Sequence, residues 1–215
     1  MFLKPLHKHS ILCGGFCMKK YLLKYVSENL KTIKVMAICI CVGFIVGILV
    51  FQMLNQDVKN ELINNIKSTL DISKSDNFES INIIKNGVTS NLLITSIIYL
   101  SAITLIAPIC ISLLNFLKGF AIGIYVPTLF LTFGMGKGIL TMLLIVILPN
   151  FIYLPVFIYM STNAIKFHYL ILESNNKLSI LIKESYMIVI ALSLMILSVL
   201  IEQMASFGVI SLYTK

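Results

Sequence analysis

Apolar residues in this chain come in long unbroken runs, not in alternation. Five runs approach the roughly 20 residues that a helix needs to cross a lipid core. They cover residues 35–54, 92–114, 116–133, 139–159 and 186–204. Lipid offers the backbone no hydrogen bonds, so runs of this kind form helices. The pattern predicts an all-α, polytopic membrane protein with about five transmembrane helices. The second and third runs are joined by only Asn115–Lys118, so a tight hairpin is expected there. Pro108, Pro127, Pro149 and Pro155 fall inside the runs.

Two shorter stretches are amphipathic. Between Lys19 and Lys34, the residues Leu22, Val26, Leu30 and Ile33 share one face, and lysines fill much of the rest. This predicts an interfacial helix on the inner leaflet, against anionic lipid headgroups. In residues 57–70, Val58, Leu62, Ile66 and Leu70 repeat every four, with Asp57, Glu61 and Lys67 elsewhere. This predicts a second such helix on the outer side. Its stripe either rests on lipid or the bundle, or docks a partner.

Charge placement sets the orientation. All 17 basic residues are lysines, and seven of them precede residue 35. Residues 55–91 hold four lysines against five acids. With the N-terminus inside, eleven lysines lie on the cytoplasmic side and six outside, Lys118 and Lys166 being counted inside. The positive-inside rule then gives an N-in, C-out topology. The expected divisions are a cytoplasmic segment 1–34, a transmembrane region 35–204 with its outer loop 55–91, and an extracytoplasmic tail 205–215. The run at 35–54 lacks a small-residue cleavage site and is read as a retained anchor. Met18 opens a stretch that reads like a natural start, which makes residues 1–17 an extension.

Composition agrees. Of the 215 residues 58% are hydrophobic and 12% charged. A soluble domain is nearer 45–50% and 25%. The net charge is +8, and the seven lysines beside the first run suit headgroups; no aromatic-interleaved basic motif points to nucleic acid.

Candidate chemistry is sparse. His7, His9, Cys13 and Cys17 do not match a known zinc spacing. The sequence holds no zincin, Walker A or nucleophile-elbow motif. Ser101 and Ser112 lie in the second run, where no histidine or lysine base is expected at their depth. No charge is expected at mid-depth either, because Lys118 is placed at the hairpin, from which it can snorkel to the inner surface. The expectation is a protein without catalytic residues, metal or cofactor.

Packing motifs are more informative. Gly43-Phe-Ile-Val-Gly47 and Gly119-Phe-Ala-Ile-Gly123 have the spacing that lets backbones approach closely. They serve either packing within the chain or a partner interface. Pro149 and Pro155 each remove a helical N–H, and Asn150 is placed to satisfy a freed carbonyl. The result is either a fixed kink or a groove for another protein. The candidate partner-binding residues are therefore Leu62, Ile66, Gly119, Gly123, Pro149, Asn150 and Pro155.

The layout from Met18 to the end of the fifth run resembles the stage II sporulation protein M family. The residues that carry the resemblance are the lysine-rich start, the moderate outer segment running into Asn91, Asn115-Phe-Leu-Lys-Gly-Phe-Ala-Ile-Gly123 and Leu148-Pro-Asn-Phe-Ile-Tyr-Leu-Pro-Val-Phe157. The resemblance implies a non-enzymatic scaffold in the mother-cell septal membrane during engulfment. It implies recruitment of stage II sporulation protein P, a peptidoglycan amidase and endopeptidase. Through it comes stage II sporulation protein D, a lytic transglycosylase. The competing expectation is a transporter or permease subunit for a neutral or small solute, with Gln52, Asn115, Asn150 and Asn163 lining its path.

Overall fold

A computed structural model describes residues 16–72, 89, 93–173, 189, 193, 194, 196, 197, 200 and 201. Outside the described residues lie His7, His9, Cys13, residues 73–88, most of the fifth run, Glu202 and the tail 205–215. Every described element is helical. They are α1 (Phe16–Met53), α2 (Gln56–Ile72), α3 (Leu93–Ala102), α4 (Ala107–Thr141), a π-helical segment (Met142–Ile147) and α5 (Leu148–Glu173).

Among the described residues two helical stretches are long and apolar enough to cross a membrane, Lys24–Met53 and Ala107–Glu173. The second has 67 residues and, if straight, would run about 100 Å. It is not straight. Gly134 has φ 74° and ψ 172°, far from helical values, and breaks α4 into 107–133 and a second limb that continues to Glu173. The limbs fold back on each other. Asn115 and Ser161, 46 residues apart, share a 2.8 Å hydrogen bond. On a straight helix they would be about 69 Å apart. The reversal falls in the gap that the hydrophobic pattern leaves between residues 133 and 139.

The hairpin expected at Asn115–Lys118 does not form. Residues 107–133 are continuous helix, and Asn115 and Lys118 lie inside it. Asn115 has no exposed surface; its amide donates to the Ile111 carbonyl and to Ser161. A polar pair that reads as a turn is instead absorbed by a helix–helix contact. The break lies earlier, at residues 103–106, and splits the run 92–114 in two. Pro108 sits in the first turn of α4, where the missing N–H costs no intrahelical bond.

A second correction concerns the start of the chain. Residues 19–34 do not form a separate interfacial helix. They continue into the apolar run as one helix of 38 residues, about 57 Å long. That exceeds a hydrocarbon core of about 30 Å, so the lysine-bearing turns extend the span along its own axis. They pack on the distal half of α5. The Tyr25 and Tyr159 rings lie 4.9 Å apart.

The main core joins Met36 and Ile40 of α1, Ile98 and Ala102 of α3, Ala107 and Ile111 of α4, and Phe157, Met160, Ala164 and Phe167 of α5. A smaller core joins Ile66 of α2 to Leu129 and Val146.

Candidate functional site

The two glycine motifs pack backbone against backbone. A Cβ on Gly43 would strike the carbonyl of Phe116, and one on Gly47 the carbonyl of Phe120. A Cβ on Gly119 would strike the carbonyl of Ile40, and one on Gly123 that of Phe44. The numbers rise together on both helices, so α1 and the first limb of α4 run parallel. With little apolar driving force between helices in lipid, this close approach is what van der Waals packing requires. Gly119 and Gly123 are thus buried within the chain, and both motifs serve intramolecular packing.

The proline segment is built differently. A π-helical stretch precedes Pro149, and the Leu148 N–H donates to the Leu143 carbonyl, five residues back. The wider turn accommodates a proline whose ring would clash with the carbonyl four residues earlier. Asn150 Nδ2 donates to the Val146 carbonyl at 2.8 Å. Pro149 is buried, Asn150 half-buried and Pro155 exposed. Phe151 stands 79% exposed one turn before Pro155 on the same face.

On α2, Ile66 is buried against the chain's own Leu129 and Val146, while Leu62 is half-buried and Val58 exposed. The exposed remainder includes Asp57, Glu61 and Lys67.

Polar side chains meet inside the bundle where the hydrophobic pattern gave no sign of it. Lys118 lies near the middle of 107–133, not at a surface hairpin. Its Nζ stands 4.1 Å from the centre of the Tyr153 ring, a cation–π contact between the two limbs. Tyr25 donates to Asn163 Oδ1 at 2.7 Å, joining α1 to α5. Buried His168 lies 3.0 Å from the Ala102 carbonyl through Nδ1, just before the break at 103–106. Ala102 follows Ser101 in the chain, so a histidine does share this depth, contrary to expectation. The Ser101 hydroxyl, however, donates to the Ile97 carbonyl. The buried hydroxyls of Thr128 and Thr162 likewise turn back onto their own helix. Gln52 is exposed near the end of α1, away from Asn115 and Asn163. Among the described residues no three His, Cys, Asp or Glu side chains gather as metal ligands.

A family model for stage II sporulation protein M matches residues 36–206, most of the chain. The chain belongs to the stage II sporulation protein M family. The match covers both glycine motifs, the Gly134 reversal and the proline segment. No curated protein and no solved structure matches the chain. Family membership, with two long apolar helical stretches, marks a sporulation-related membrane protein.

Proposed function

We propose that this protein is a non-enzymatic scaffold of endospore formation, which recruits and anchors peptidoglycan hydrolases at the septal and engulfing membrane. The observation that carries the proposal is the family match over residues 36–206. The partners are stage II sporulation proteins P and D. Anchoring hydrolases in one membrane raises their effective concentration without a strong pairwise interface.

The proposed topology has five crossings, N-in and C-out. Parallel packing of α1 and the first limb of α4 supports it, because the chain must return to its starting side between Met53 and Ala107. The antiparallel second limb then returns to the lysine-rich side. In this arrangement α2 is held on the outer face through Ile66 and presents Asp57 and Glu61 to the wall space. The membrane-facing contact is the exposed strip of Phe151 and Pro155.

Co-purification from detergent, with a tagged copy followed during asymmetric division, tests the proposal. The protein is expected at the septum with both hydrolases bound. Combining V58K and E61K on α2 with F151A on α5 should weaken capture without unfolding the bundle. Undiminished capture by that variant would remove these surfaces from the assignment. A diffuse membrane signal without bound hydrolase would remove the scaffold.

One observation favours transport as the second reading. Lys118 lies mid-helix beside the buried Asn115–Ser161 pair, and intramembrane charge commonly marks a substrate path. Solute entry into sealed proteoliposomes, lost in K118M, would favour it.

A further inference from the structure

We propose that the lysine-rich end of the α1–α5 seam binds one phosphate group, gripped by Asn163 and Lys166 of α5. This goes beyond hydrolase recruitment and does not depend on it.

Asn163 is 7% exposed, and its Oδ1 accepts the Tyr25 hydroxyl. Its Nδ2 is buried and has no hydrogen-bond partner. A buried amide donor is costly to leave unmade, so a donor in this position points to an acceptor. Lys166 is one turn further along α5, on the neighbouring part of the same surface. Its Nζ lies 4.8 Å from the centre of the Tyr25 ring, and among the described residues it has no ion-pair partner. Tyr25 therefore positions both donors, one through its hydroxyl and one through its face.

The surrounding field favours an anion. Lys24 adjoins Tyr25, and Lys31 and Lys34 follow on α1. The acid on this part of α1 is Glu28, which lies 3.9 Å from Lys24 on the exposed side. A phosphate carries several acceptor oxygens and can take an amide N–H and an ammonium together. Asn163 lies four residues, about 6 Å, beyond Tyr159, where the apolar run on α5 ends, which is close to the headgroup layer. The shared chemistry is a phosphate of net negative charge, supplied by an anionic phospholipid headgroup or by phosphate in solution; the choline ammonium of phosphatidylcholine cancels that charge against the Lys166 ammonium.

The test uses the full chain in detergent, titrated with phosphatidylglycerol or phosphatidylcholine, with retained lipid read by native mass spectrometry. Wild type is expected to keep one phosphatidylglycerol in preference to phosphatidylcholine. N163D retains the Tyr25 bond but replaces the donor with a negative charge, and K166Q removes the ammonium. Each should lower retention at least tenfold, while K67Q on α2, away from this end of the bundle, leaves it within twofold. Displacement of the lipid by millimolar inorganic phosphate would identify a free-phosphate site; persistence identifies the headgroup. Melting followed by circular dichroism checks folding, and K166Q decides the matter if N163D unfolds. Equal retention of both lipids, or unchanged retention in K166Q, would overturn the proposal and leave Asn163 Nδ2 to a buried water.

Discussion

Gly119 presents its bare Cα to the carbonyl of Ile40, and no side chain fits between them. The obstacle is backbone, so a rotamer change cannot relieve it. G119A should therefore force α1 and α4 apart. Overpacking of this kind costs about 1–3 kcal/mol. Melting in detergent, followed by circular dichroism, should show a clear fall in midpoint, with a matching fall for G43A. An unchanged midpoint in both would mean that the helices do not meet here. The same contact makes G119L unsuitable for mapping a partner surface, since it disturbs the bundle first.

Gly134 and Gly136 are two residues apart, and alanine should act on them in opposite directions. Gly134 adopts φ 74° and ψ 172°, a region almost reserved for glycine, and strain there costs about 1–3 kcal/mol. Gly136 has an ordinary φ and open space where a Cβ would stand. G134A should destabilise the hairpin, while G136A should be neutral or stabilise it by about 0.4–1 kcal/mol. Paired melting curves would check the sign of each.

Asn115 and Ser161 join the two limbs, and a double-mutant cycle should find them coupled. S161A removes the acceptor, and N115L removes a side chain whose Oδ1 has no partner. Interhelical hydrogen bonds in membranes average about 0.6 kcal/mol, so a coupling of that order is expected. Strict additivity of the two changes would show that the bond adds nothing to stability.

His168 satisfies the Ala102 carbonyl where the chain leaves α3. H168L leaves that carbonyl buried without a donor, at about 1–3 kcal/mol. The loss should be local. Hydrogen exchange is expected to rise first at residues 103–106, ahead of α4. Uniform acceleration across α4 would contradict this.

The sequence makes long apolar helices, the reversal after Phe133 and the close glycine packing readable. Lipid-compatible length and small residues at spacing four are local signals. The turn at 103–106 is not readable, because Ile103, Leu105 and Ile106 continue the apolar run through it. Pro108 was the available signal, as a helix-starting residue instead of a break inside a span. Asn115 misled in the other direction. Its polarity suggested a turn, and only the distant Ser161 shows why it lies inside a helix. Ile66 shows a third limit, since a stripe on α2 looks the same whether it meets a partner or the chain's own Leu129.

Parallel neighbours cannot be joined by a tight turn, and this fixes the order of assembly. The ribosome releases α1 well before the segment carrying Gly119 and Gly123. In the interval the flank of Gly43 and Gly47 has only lipid beside it. A chain stalled during the intervening stretch would leave the Gly43 and Gly47 flank of α1 unmatched. Emergence of the segment carrying Gly119 and Gly123, more than insertion of α1 alone, is then the step that closes this seam.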